Sequence, residues 1–254
     1  MRHSLLTARS FLAILTVLGP GCLGAQVAGK FPPDSLVNVQ IIPRTTDVST
    51  VIGMMRNYAG WLGVRCQFCH VGEEGRPLDS FNFSSDEKRT KLVARQMMRL
   101  VAEINARLDT LPGRANPGLN VSCMTCHRGV SRPVPLSSLV AEMATTAGAD
   151  SAIRGYRALR AKYYGGDSYD FRESSLNIAA FRLGRAAKFN EALALLDLNE
   201  TLFPGSSGMY VFRGNINVMK ADTAAAAAAF REAIRRDPAN EEAKGRLQSI
   251  GQKP

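Results

Sequence analysis

Cys66-Gln67-Phe68-Cys69-His70 and Cys123-Met124-Thr125-Cys126-His127 are one five-residue pattern written twice. Cysteines three apart face one side of a short helical turn, and the residue after the second can turn its imidazole beneath whatever the two thiols hold. Cys-x-x-Cys-His is the attachment pattern of a c-type haem, with two thiols bonded to the ring edge and the histidine on iron. The two copies use four of the five cysteines and two of only three histidines, so chance is a poor explanation. Cys66, Cys69, Cys123 and Cys126 are therefore read as haem attachment sites, His70 and His127 as proximal iron ligands, and the cofactor content as two haem c.

The N-terminus fits that chemistry. Arg2 and Arg9 precede an apolar run, Phe11 to Leu18, which is followed by Gly19, Pro20, Gly21 and Cys22. This is an export signal over residues 1–25, too short for a spanning helix, and it places the protein in the periplasm. Two outcomes stand for Cys22: it carries a lipid anchor as the first residue of a lipoprotein, or it leaves with a signal cut near Ala25. No other apolar stretch approaches the length of a span. The formal charge of +10 loses Arg2 and Arg9 with the signal, leaving +8. These basic residues are scattered, with no basic run interleaved with aromatics, which argues against nucleic acid. An acidic redox partner or an anionic membrane surface suits the charge better, because opposite charge chiefly raises encounter rate.

Val37, Val39 and Ile41 alternate with period two and predict a short edge strand. A helix is expected from Ser49 or Thr50 as cap, with Val51, Met55, Tyr58 and Leu62 on one face, ending at Gly63. Ser84 and Glu87 make a capping box for a second helix. Its face comprises Val93, Met97, Leu100, Ile104 and Leu108, and it runs to about Thr110. Pro112, Gly113, Pro117 and Gly118 then break the chain before the second pattern. Residues 26–133 thus form a dihaem domain in which a helix and a haem word are used twice. Glu73 and Glu74 read as a solvated loop, and Trp61, the only tryptophan, as packing on the first haem.

After Arg132, Pro133 and Pro135 the chain is Ala-rich and helical. Residues 134–149 form a linking helix, with helices over about 136–147 and 150–163, and a repetitive domain occupies 150–254. Pro204 and Pro238 lie 34 residues apart, as do Ala192 and Ala226, Leu196 and Phe230, and Ala180 and Gly214. A period of 34 with a closing proline resembles tetratricopeptide repeats, which implies a concave face for a protein partner. A last helix is expected over about 240–250. The fold class is all-α throughout.

His3 falls in the signal, so no second histidine is left for either iron. The other strong donor is a methionine thioether, which raises the reduction potential; lysine, water or an open position are the alternatives. Met54 and Met55 precede the first haem word, and Met97 and Met98 the second.

The stretch Lys91 to Asn105, with Val121-Ser122-Cys123-Met124-Thr125-Cys126-His127-Arg128-Gly129, resembles the cytochrome c subunit of photosynthetic reaction centres and its soluble relatives. The resemblance covers roughly residues 35–133. It implies that Met97 rather than Met98, and Met55 rather than Met54, are the distal ligands. It also suggests that Arg128 can pair with a haem propionate. Reaction-centre subunits carry four haems and lack the repeats, so single-electron transfer is the implied role and photosynthesis is not. Non-catalytic transfer is the leading function. A peroxidase-like haem enzyme with one open iron position, and a redox-sensing scaffold built on the repeats, are its rivals.

Overall fold

The computed structural model of the chain describes residues 30–113 and 117–253. The export signal, Cys22 and His3 lie outside the described residues. Among those described, the ordered elements are helices, and the one β-type contact is an isolated bridge between Val71 and Asn82. No helix among them is long and apolar enough to cross a membrane.

Helix α1 (Val48–Leu62) is capped by Asp47, two residues before Ser49 and three before Thr50, the caps expected. The Asp47 carboxylate accepts from the amides of Ser49 (2.9 Å) and Thr50 (3.2 Å), filling two of the four donors that a helix start leaves open. Gly63 ends the helix in the left-handed conformation, as its sequence position predicts. Helix α2 (Arg89–Leu108) starts later than the expected capping box. The Ser84 hydroxyl donates to Asn82 Oδ1 (2.9 Å), and the Glu87 amide donates to Ser85 Oγ (3.2 Å). Local side-chain turns have taken the groups that would have capped a helix at Ser84. Helix α3 (Cys123–His127) is a single turn. The expected strand over residues 37–41 does not form, because no second strand lies beside it; Asn38 is left-handed and its carbonyl is taken by Arg95 (3.0 Å).

Beyond Pro135 the chain is a stack of helices: α4 (Leu136–Tyr163, broken at Gly148), α5 (Glu173–Arg185), α6 (Phe189–Leu202), α7 (Gly208–Met219), α8 (Thr223–Arg236) and α9 (Glu241–Ser249). Leu136, Val140 and Ala144 from the first half of α4 share one core with Tyr156, Leu176, Leu183 and Leu195. The segment 134–149 therefore packs as part of this unit. The 34-residue offset recurs in backbone detail. Ala187 and Ala221 turn the two hairpins with φ of 57° and 62°. Glu173 accepts from Asn199 (3.1 Å), while Ser207, 34 residues on, donates to Ala233 (2.9 Å). Gly214 lies against Phe230 so closely that a Cβ there would meet the ring at 2.3 Å.

A cleft between two haem words

Each Cys-x-x-Cys-His word is a tight turn, and α2 holds both, one near each of its ends. In the first, the His70 amide donates to the Cys66 carbonyl (2.9 Å), and the Thr90 hydroxyl at the start of α2 donates to the Phe68 carbonyl. In the second, α3 is entered through Val121, whose amide and carbonyl both bond the Asn105 side chain near the end of α2 (2.7 and 2.9 Å). A 20-residue helix is about 30 Å long. Helix α2 thus reaches from one word to the approach of the other.

Helix α1 precedes the first word in sequence but docks on the second. It packs against α3, its Trp61 carbonyl accepts the Gly129 amide (2.9 Å), and Tyr58 lies beside Cys123. The Trp61 ring sits against Tyr58, with centroids 5.6 Å apart, and is not among the residues lining the cleft. Its expected place on the first haem is therefore not what the fold provides.

Between the words opens one continuous cleft of about 1760 Å³. Single small-molecule sites occupy roughly 300–1,000 Å³. Cys66, Cys69, His70, Cys123 and His127 line it, together with Met55, Met97 and Met98; Met54 does not. Cys126 is exposed, and all four thiols are free of disulfides. The apolar face expected of α2 is covered only in part: Ile104 and Leu108 are half-buried, but Val93 and Met97 line the cleft at 47% and 42% exposure, and Leu100, one turn on, is 45% exposed. Among the described residues no three Cys, His, Asp or Glu side chains converge into a shared metal-ion site, so the words do not pool into one zinc-type centre.

The two histidines differ. The His127 Nδ1–H donates to the Val130 carbonyl (2.9 Å), which fixes the ring and leaves Nε2 as the donor atom. His70 packs its ring edge-on against Phe83 (4.9 Å), which stacks on Phe81, and its buried Nδ1 has no partner. Burial, with the Lys91 and Arg95 charges nearby, pushes the His70 imidazole down to about 4. At neutral pH it is uncharged, the form that binds a metal. A buried imidazole, free paired thiols and an apolar helix face open to a large cleft fit covalently attached haem c.

Sequence reasoning missed the polar cluster beneath the first word. Lys91 and Arg95, each 9% exposed, converge on Asp86 (3.1 and 2.8 Å). Lys91 also donates to the Phe83 and Ser85 carbonyls, and Asn38 donates to Asp86 and to the Ser84 carbonyl. The cluster pins three segments far apart in sequence. Its trace in the sequence is a basic pair, i and i+4, on a helix that also carries Arg89, Arg99 and Arg107, so nothing in the pattern singles it out. Arg95, Asn38 and Lys91 hold the Asp86 carboxyl well below the usual range. A depressed carboxylate adds stability that is complete above the unfolded value, about 3.9, and is lost as pH falls through the folded one. Urea midpoints of wild type should therefore drop between pH 7 and pH 3, and the drop should be smaller in Asp86→Asn. Equal drops would mean the cluster does not drive acid sensitivity. The basic Arg65 rim beside Glu74 (3.9 Å) is exposed, as expected of a loop, and the Arg128 side chain is exposed too.

Residues 25–162 match the family model described as the photosynthetic reaction centre cytochrome C subunit. The match ends within the last turn of α4, so the helices from α5 onward lie outside it. Over 99 residues the chain is 39% identical to cytochrome c-554 of Chloroflexus aurantiacus, covering 35% of this chain and 22% of that one. It is 35% identical over 91 residues to the photosynthetic reaction center cytochrome c subunit of Thermochromatium tepidum, covering 32% and 21%. For the corresponding subunit of Roseobacter denitrificans the identity is 33% over 102 residues, covering 39% and 26%. The matched part thus spans only 21% to 26% of the length of these relatives. No solved structure matches the chain.

Proposed function

The chain belongs to the photosynthetic reaction centre cytochrome C subunit family, and on that premise we propose that it is an exported dihaem c-type cytochrome that passes single electrons between protein partners. The observation that carries this reading is the single cleft lined by both haem words and by three methionines. Cys66 with Cys69, and Cys123 with Cys126, hold the two haem edges. His70 and His127 supply one ligand each, and Met55 and Met97 complete the two sets, with Met98 the alternative to Met97. When bound, haem c supplies a one-electron iron couple. The protein's own contribution would be to offer each iron a thioether beside its imidazole and to line the cleft with apolar side chains of α1 and α2 and with Phe81 and Phe83. Thioether ligation disfavours peroxidase-like chemistry, which needs an open iron position. The helical unit, read as tetratricopeptide-like, offers a separate surface for a protein partner, and a lipid on Cys22 would hold the molecule at the membrane.

A spectroelectrochemical titration of the holoprotein tests this. Two one-electron waves are expected, together with the red-edge charge-transfer band of thioether-ligated ferric haem. Met55→Ala and Met97→Ala should each lower one midpoint and open that iron to added imidazole. A high-spin oxidised spectrum with turnover of hydrogen peroxide would instead establish an enzyme.

A further inference from the structure

The turn after His127 is held from three sides. Arg128 and Gly129 are both left-handed, with φ of 47° and 83°. For Arg128, which carries a Cβ, that conformation costs on the order of 1–2 kcal/mol, so neighbours must hold it. Within the turn, the Val130 amide donates to the His127 carbonyl (2.9 Å) while the His127 ring donates to the Val130 carbonyl. From α1, the Trp61 carbonyl accepts the Gly129 amide. From the C-terminal unit, the Ser168 hydroxyl donates to the Arg128 carbonyl (2.6 Å) across 40 residues of sequence.

Ser168 stands in the connection between α4 and α5, and that connection is anchored. Tyr169, next to it, packs edge-on against Tyr163 (5.4 Å) and Phe171 (6.3 Å), and Phe171 is buried against Tyr156 (5.8 Å) in the core of the helical unit. The His70 ring makes no such close bond, the Phe83 backbone being its nearest polar neighbour, and no described residue of the C-terminal unit bonds the turn that carries it.

We propose that Ser168 is a positioning residue for the second haem: it holds the left-handed Arg128 turn, and through it the His127 ring, so that the C-terminal unit tunes one centre and not the other. This rests on reading His127 as an iron ligand. A ring N–H bonded to a carbonyl makes imidazole a stronger donor, which favours oxidised iron and lowers the potential. Loosening the turn weakens that bond.

The test is Ser168→Ala in the full-length holoprotein, titrated beside Ser168→Thr and wild type. The Cys66→Ala/Cys69→Ala variant, which retains the second haem alone, assigns the waves. One midpoint, that of the second haem, should rise, and imidazole should bind that centre about fivefold more tightly, the equivalent of one net hydrogen bond. Ser168→Thr should restore both values. Midpoints that stay put, or that move together, would overturn the proposal, as would failure of threonine to restore them. A wild-type protein that titrates as a single centre would overturn the two-haem reading and this inference with it, and is told apart by its wave count before any substitution.

Discussion

Alanine at both Cys66 and Cys69 should leave a holoprotein with one covalent haem in place of two. The second word does not depend on the first word's thiols for its shape. Val121 is clamped by Asn105, Gly129 is held by Trp61, and the His127 ring is fixed by Val130. The first word loses both tethers, and a single histidine ligand without covalent attachment retains haem poorly. The reciprocal variant, Cys123→Ala with Cys126→Ala, should halve the content in the same way. Haem absorbance per polypeptide after denaturation, with intact mass, reads the result. Unchanged stoichiometry in either variant would remove that word from the haem assignment.

Gly63→Ala should be the most damaging single substitution in the haem domain. Gly63 is left-handed, and a Cβ there would sit 2.0 Å from the Gly129 carbonyl oxygen and 2.9 Å from its carbon. The obstacle is backbone, so no side chain can swing aside; either α1 withdraws or the turn behind His127 moves. Overpacking costs typically about 1–3 kcal/mol, and the left-handed backbone adds about 1–2. A loss of roughly 2–5 kcal/mol is expected by urea unfolding of the holoprotein, together with a changed spectrum at the second haem. Gly75→Ala is the control: its φ is also positive, but nothing lies within 4 Å of the added Cβ. If both variants lose the same amount, the close approach of α1 to the second word is not what makes Gly63 necessary.

These two predictions divide what is local from what is not. Both haem words, the stop at Gly63 and the periodic face of α2 could be read one segment at a time, because covalent chemistry and helical period are properties of neighbours in sequence. The helical character of the C-terminal stretch was legible for the same reason, and two left-handed turns there, at Ala187 and Ala221, lie 34 residues apart. Boundaries were less legible. Asp47, not Ser49, caps α1, and Asn82 captures the hydroxyl of Ser84. Several polar side chains in a row offer competing caps, and only the fixed backbone selects among them.

The apolar face of α2 is the instructive case. Val93, Met97 and Leu100 mark a buried stripe by their spacing; in the folded protein Val93 and Met97 open onto a cleft and Leu100 is exposed. Periodicity reports that a face must be covered, without reporting by what. Alone, the sequence determined that two thiol pairs and two histidines come in fixed five-residue units, that helices flank them, and that a helical unit follows. Tertiary structure decided the partners. It docked α1 on the second word rather than the first, opened both words onto one cleft, drove Lys91 and Arg95 onto Asp86, and set Ser168 on the carbonyl of Arg128. Each is a contact between segments whose local patterns carry no record of one another. Such contacts exist only after the chain has closed the loops that bring them together, and the entropy of that closure is met by packing elsewhere.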